Sequence, residues 1–172
     1  MNPFFDINLF GKDGLVRSVV EIPKETNAKY EFNVKENFFE LDRCLVSAMK
    51  YPVNYGFMPR TIAEDGDPLD CIIITNVSLQ MGIVVEGRAL GCLRILDSGV
   101  EDDKIVIVPK FNTRISKIAD IEEEYLKIIS DFFQNYKNLT KKKVEVINWE
   151  LEDFAINKIK KSHEKYKEEL IR

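Results

Sequence analysis

Asp65-Gly66-Asp67-Pro68-Leu69-Asp70 runs directly into Cys71-Ile72-Ile73-Ile74-Thr75. The first six residues form a turn, because Gly lets the chain bend tightly and Pro fixes the bend. The next five are a short, continuously apolar run, as in a strand buried on both faces. Strand signals extend outward from there. Upstream, residues 15–22 are rich in Val and Ile and stop at Pro23, and residues 29–32 alternate polar and aromatic. Downstream, residues 82–96 are long enough for a bent strand, with Gly87 and Gly91 as places to bend. Residues 104–108 read as another strand, closed by Pro109.

The period then changes. Tyr125, Ile128, Ile129, Phe132, Phe133 and Tyr136 fall at i, i+3, i+4, i+7, i+8 and i+11, which is one face of an amphipathic helix. Residues 143–149 return to strand, and residues 151–172 form a charged helix with Phe154, Ala155, Ile159, Tyr166 and Leu170 available for packing. Strands first and helices later predict an α+β fold, a small barrel with helices against it. Few helices sit between strands, so the pairing is expected to be mostly antiparallel. The length suits a single domain over residues 1–172.

Composition removes several function classes. A net charge of −4 argues against a nucleic-acid binder, which needs surplus Lys and Arg. It leaves room for a small anionic substrate, since a basic cluster or bound cations can reverse the local field. No apolar run approaches the roughly 20 residues that span a bilayer. The first ten residues lack a basic n-region, so cytoplasm is the expected location and no membrane partner is expected. Cys44, Cys71 and Cys92 read as reduced, buried thiols. The only histidine, His163, cannot build a His-rich zinc site.

The turn at residues 65–70 carries three carboxylates within six positions. Like charges this close repel unless a cation sits among them, and all-oxygen donors favour a hard cation such as Mg²⁺ or Mn²⁺. A solvated acidic loop has the same spacing. A calcium EF-hand would need Gly and Glu where Asp70 and Asn76 stand. Asp97 and Glu101-Asp102-Asp103-Lys104 form a second acidic group after a strand. It reads either as a charged hairpin tip or as the other half of a two-metal site. Lys29, Arg43, Lys104 and Lys137, with Tyr51, Tyr55 and Tyr136, could hold phosphate. Tyr51-Pro52-Val53-Asn54-Tyr55-Gly56 has the look of a shaped loop with aromatic anchors.

Taken in order, these segments resemble the family I soluble inorganic pyrophosphatases of bacterial type. Glu21-Ile22-Pro23, Lys29-Tyr30-Glu31, Asp42-Arg43, the Tyr51–Gly56 and Asp65–Asp70 motifs, Asp97, the 101–104 motif, Val108-Pro109 and Phe132-Phe133-Gln134-Asn135-Tyr136-Lys137 carry the likeness, across roughly residues 15–150. It implies a five-stranded OB-like barrel with two main helices packed outside. It also implies hydrolysis of pyrophosphate with several Mg²⁺ ions, for which Mn²⁺ or Zn²⁺ could substitute. By the same likeness Asp65, Asp70, Asp97 and Asp102 would be metal ligands, with Glu31 an accessory acid. Asp67 would accept a proton from a water bridging two metals, with Glu21 and Tyr55 beside it. Lys29, Arg43, Lys104, Tyr136, Lys137 and Tyr51 would surround the substrate. A homo-oligomer, most often a hexamer, is implied too. Two departures stand out. The 110–125 segment is short, and the helix before Tyr136 lacks the histidines that some relatives carry there. Two other readings compete. One is an OB-like module for single-stranded nucleic acid, which the acidic balance opposes. The other is a nucleotide pyrophosphatase, but no Glu-rich Nudix helix is present.

Overall fold

The computed structural model describes residues 1–171. Its strands are β1 (Val16–Ile22), β2 (Ala28–Asn33), β3 (Phe38–Cys44), β4 (Asn54–Phe57), β5 (Asp70–Ile73), β6 (Val84–Asp97), β7 (Val100–Glu101), β8 (Lys104–Pro109) and β9 (Val144–Leu151). Its helices are α1 (Pro3–Asp6), α2 (Glu123–Asn135) and α3 (Glu152–Leu170). The pairing runs β1-β4-β5-β8-β6 and returns to β1 through Val16↔Gly87 to Val19↔Val84, so five strands close into a ring. One pair in the ring, β5–β8, is parallel and the rest are antiparallel. The expected barrel is therefore present. β9 pairs outside it on β6, and β2 and β3 form a separate two-stranded sheet. No described helix is long and apolar enough to cross a membrane.

Barrel strands are buried on both faces because successive side chains point opposite ways. Ile72 and Val106 join the core cluster that holds Ile129, Phe132 and Phe133 of α2. Cys71, Ile73, Ile105 and Ile107 join the one that holds Ala155 and Ile159 of α3. Each helix thus seals one set of alternating positions. Burying such a side chain is worth about 1.5–3 kcal/mol, and this drives helices onto barrel. The N-terminus adds a third cluster. Asn2 caps α1 by accepting from the amides of Phe4 and Phe5, and Phe4 packs on Phe57 and Tyr166.

Several local expectations need correction. Asn54–Phe57 is not a loop but strand β4, fully buried in the ring. Its Pro, Asn and Gly neighbours suppressed the strand signal. β3 gave no signal because it has no buried face to impose alternation. Ile128 and Leu170 continue the helical pattern but stand 50% and 62% exposed. Cys71 and Cys92 are buried free thiols, whereas Cys44 is exposed on β3.

A bulge fixes one functional position. Val20 pairs with Gly56 and Ile22 with Tyr55, which leaves Glu21 as the extra residue of β1. Bulges of this kind re-aim one side chain. Opposite the bulge, the Val19 carbonyl occupies the space where a Cβ on Gly56 would lie. Gly56→Ala should therefore push β1 off β4 and cost about 1–3 kcal/mol or more. Urea unfolding monitored by circular dichroism will show the loss as a lower midpoint. An unchanged midpoint would mean the strands can part freely.

Candidate active site

The acidic turn is held by its own backbone and side-chain hydrogen bonds. Gly66 takes a left-handed conformation at φ +93°, and the Ala63 amide donates to the Asp67 carbonyl at 2.7 Å. Asp65 Oδ1 accepts from the Asp67 amide at 3.0 Å. Behind the turn, the buried Thr61 hydroxyl donates to the Met58 carbonyl at 2.7 Å and accepts from the Leu69 amide at 2.9 Å. This brace delivers Asp70 to the first position of β5.

Parallel pairing does the next step. Cys71 lies opposite Ile105, so the starts of β5 and β8 stand side by side, and Asp70 meets Lys104. The Lys104 ammonium donates to Asp70 Oδ2 at 2.6 Å and to Asp102, with only 3% of its side chain exposed. The Tyr55 hydroxyl donates to the same Asp70 oxygen at 2.5 Å. One edge of the site is Asp97, at the end of β6, bound by Lys137 from the segment after α2. The opposite edge is the β2–β3 hairpin. There Lys29 contacts Glu31 and lies 3.2 Å from Asp42, and Arg43 Nε donates to Asp42 at 2.8 Å. Asp42 is the extra residue at the hairpin's own bulge, between the Tyr30↔Leu41 and Lys29↔Arg43 pairs.

These groups surround one cavity of about 520 Å³. Twelve of the fourteen residues singled out from the sequence line it: Glu21, Lys29, Glu31, Arg43, Tyr55, Asp65, Asp67, Asp70, Asp97, Asp102, Tyr136 and Lys137. Lys104 lies beneath the floor, against Asp70 and Asp102. Tyr51 stands behind the wall, its ring 5.8 Å from Tyr55 and 4.7 Å from Phe132. The lining also includes Lys35, Glu40 and Lys142. Lys142 was hidden in the Lys141-Lys142-Lys143 run, which by itself reads as a solvated surface. Asp42 appeared only as the neighbour of Arg43, and nothing in its spacing announced that it would tether two cations.

Electrostatically the cavity is under tension. Eight carboxylates and five cationic side chains line it. Burial, helped by Asp70, pushes the Glu21 carboxyl up to about 8, although the Phe32 amide donates to it at 2.7 Å. Burial and neighbouring Asp65 raise Asp67. Burial also raises Asp70 against the pull of Lys104. Asp97, though partly desolvated, is held low by Lys137. Lys104 resists desolvation because Asp70 and Asp102 hold its charge, and burial keeps the Tyr55 phenol protonated.

Among the described residues, no three His, Cys, Asp or Glu side chains already stand together as a metal cage. Lysine ammoniums sit between the carboxylates instead. The donor set is all oxygen, and His163 is engaged elsewhere, 2.6 Å from the Arg60 carbonyl. Surplus negative charge with carboxylate donors fits a hard divalent cation.

The sequence and the fold are similar to those of known proteins. Residues 18–167 match the family model described as inorganic pyrophosphatase. The chain belongs to the inorganic pyrophosphatase family. It is 39% identical over 159 residues to the inorganic pyrophosphatase of Synechocystis sp., covering 91% of this chain and 94% of that one. It is 39% identical over 155 residues to that of Saccharolobus solfataricus, covering 87% and 90%. Among solved structures, the inorganic pyrophosphatase from Thermus thermophilus superposes with a TM-score of 0.92 at 33% identity, over 97% of this chain and 99% of that chain. The enzyme from Helicobacter pylori does so with a TM-score of 0.89 at 32% identity, over 94% and 99%.

The raised Glu21 carboxyl yields a pH signature. Its folded value, about 8, lies above the usual carboxylate range, so the folded chain binds the extra proton at intermediate pH. Stability is complete below the unfolded value. It falls as pH rises toward 8, by on the order of a few kcal/mol. In metal-free buffer, Glu21→Gln should thus gain stability relative to the unsubstituted chain between pH 5 and pH 8. Thermal melts across that range will read the difference. A gap that stays constant would place Glu21 in an ordinary environment.

Proposed function

We propose that this chain hydrolyses inorganic pyrophosphate to two orthophosphates with Mg²⁺ ions held by its Asp and Glu side chains. One observation carries the reading. Residues from eight separate segments, Glu21 to Lys137, converge on one cavity in a chain of this family. Asp65, Asp70, Asp97 and Asp102 would hold the metal ions, with Glu31 on the hairpin side. When bound, Mg²⁺ supplies charge neutralisation and a water acid enough to lose its proton near neutral pH. Mn²⁺ or Zn²⁺ could take its place with other coordination preferences.

The chain's own groups do the rest. Asp67, whose carboxyl is raised by desolvation and by neighbouring Asp65, would take a proton from the attacking water. Tyr55 donates to Asp70 and keeps that carboxylate aimed. Glu21 adds a further carboxyl whose proton state depends on how many cations are near. Lys29 and Arg43 from the hairpin, Lys104 from β8 and Lys137 after α2 would neutralise the phosphate oxygens as the bridging bond breaks. Tyr136 lines the cavity beside Lys137, whose ammonium lies 5.1 Å from its ring. Tyr51, packed behind against Tyr55, Phe132 and Tyr136, would keep that wall in place. The protein positions and neutralises, which is the main work in phosphoryl transfer. On this reading the carboxylates of Asp70, Asp102 and Asp97 would serve the metal ions, and Lys104 and Lys137 beside them would serve the phosphate oxygens.

The same reading includes a homo-oligomer, with a hexamer the favoured size, in the cytoplasm. Ile128, Ile147 and Leu151 on α2 and β9 are exposed apolar side chains that a second copy would cover. Light scattering at micromolar concentration reads this directly, and a clean monomer would refute it.

Phosphate release with and without Mg²⁺ tests the activity. Pyrophosphate should be turned over only with the metal, and with a far higher kcat/KM than ATP. Cations stand on several sides of a space that must also hold the metals, which leaves little room for a nucleoside. Comparable values for the two substrates would favour a nucleotide hydrolase. Asp67→Asn should fold and bind metal yet lose about 10²–10⁴-fold in kcat. Near-normal turnover in that variant would remove Asp67 from proton transfer.

A further inference from the structure

Asp102 lines the cavity and Lys104 lies beneath its floor, while the residue between them, in the two-residue connection from β7 to β8, is not part of the lining. That residue is Asp103, whose side chain is 0% exposed. A carboxylate with no access to water must be paired. Asp103 Oδ2 lies 2.8 Å from the ammonium of Lys158, a side chain of α3 that is itself 11% exposed. The other oxygen accepts from the Ile95 amide at 3.2 Å. Lys158 also donates to Glu101 at 3.0 Å, and Arg94 donates to Glu101 at 3.2 Å while its guanidinium lies 5.4 Å from the Phe154 ring. The acids on either side of Asp102 are therefore both tied to Lys158. The Asp102 amide is fixed as well, donating to the Ile95 carbonyl at 2.9 Å.

We infer that the buried Asp103–Lys158 ion pair, with Glu101 and Arg94, is a positioning device that clamps the segment carrying Asp102 and Lys104 to α3. It sets where Asp102 stands in the cavity and where Lys104 stands beneath its floor. The inference rests on the reading of that cavity as the cation-holding site. Neither Asp103 nor Lys158 lines the cavity, so both act through their neighbours. Stability alone does not explain such a pair, because apolar side chains of similar size often serve a core as well or better. Its position explains it: one residue from Asp102, one from Lys104, and at the strand start where β5 and β8 meet. Arg94 Nε, buried and without a hydrogen-bond partner among the described residues, lies 3.9 Å from Asp103. The cluster is thus arranged about the segment rather than about its own saturation.

Groups that orient a ligand from behind typically change metal affinity by about 10–100-fold when removed. The test uses the full chain without substrate. Mn²⁺ binding is titrated by electron paramagnetic resonance, the Mg²⁺ concentration for half-maximal pyrophosphate hydrolysis is measured in parallel, and melts report stability. Lys158→Met should weaken Mn²⁺ binding about tenfold and raise the Mg²⁺ requirement, while Lys158→Arg should recover most of both. Ile159→Val, one residue along the same helix and buried in the core, should lower the melting temperature and leave Mn²⁺ binding unchanged. Should Lys158→Met fail to fold, the isosteric Asp103→Asn carries the same expectation. Unchanged Mn²⁺ binding in a folded Lys158→Met or Asp103→Asn chain would overturn the clamp, as would an equal shift in Ile159→Val. Failure of the unsubstituted chain to bind Mn²⁺ would overturn the cation-site reading and the clamp with it.

Discussion

Lys104 holds its ammonium against Asp70 and Asp102 with almost none of its side chain in water. Lysine is seldom buried so fully, and removing an ion from water costs several kcal/mol. Only close, well-aimed partners recover that cost, so the two carboxylates must be delivered accurately. The parallel β5–β8 pair delivers them. It sets the turn at residues 65–70 beside the segment at 101–104, two stretches far apart in sequence. An antiparallel pairing would send the two acidic groups to opposite ends of the barrel. The one parallel contact in an otherwise antiparallel ring is thus what makes a single cavity out of two acidic loops.

Around this point the chain tolerates charge that it cannot fully compensate. Carboxylates outnumber cations in the lining, and burial lifts Glu21, Asp67 and Asp70. Bulges place two of the acids nearby. Glu21 is the surplus residue of β1, and Asp42 is the surplus residue of β3, where it accepts from both Lys29 and Arg43. In each case the ladder gives up regular pairing to aim a carboxylate. The barrel core, sealed by α2 on one set of positions and α3 on the other, is what makes such local losses bearable.

Much of this was legible in the residues themselves. The apolar run at 71–75, the Val-rich run at 15–22 and the 3.6-residue period at 125–136 foretold β5, β1 and α2. The ordered motifs named fourteen residues, and twelve of them line one cavity. What stayed hidden depended on tertiary contact. β4 looked like a loop because a Gly there answers a carbonyl across the ladder, a reason local spacing cannot express. β3 has no buried face, so it carries no period. Bulges leave no mark in a sequence, because the extra residue is defined only by its partner strand. Lys158 and Asp103 are far apart in the chain, and nothing in their spacing announced that they would meet.

The hairpin of β2 and β3 brings one more consequence. It forms no ladder with any other strand: the Phe32 amide reaches the Glu21 side chain of β1, and Phe32, stacked 5.5 Å from Phe57, is its one buried residue. A two-stranded ribbon is marginal by itself, and such units open far more often than the body they rest on. Its amide protons should accordingly exchange with solvent well ahead of those in the ring. The cavity therefore has two walls of unequal durability. The acids at 65–70 and 97–102 belong to the lasting one, and Lys29, Glu31 and Arg43 belong to the fragile one. Gentle heat would loosen the cationic wall while the carboxylates opposite stayed in formation.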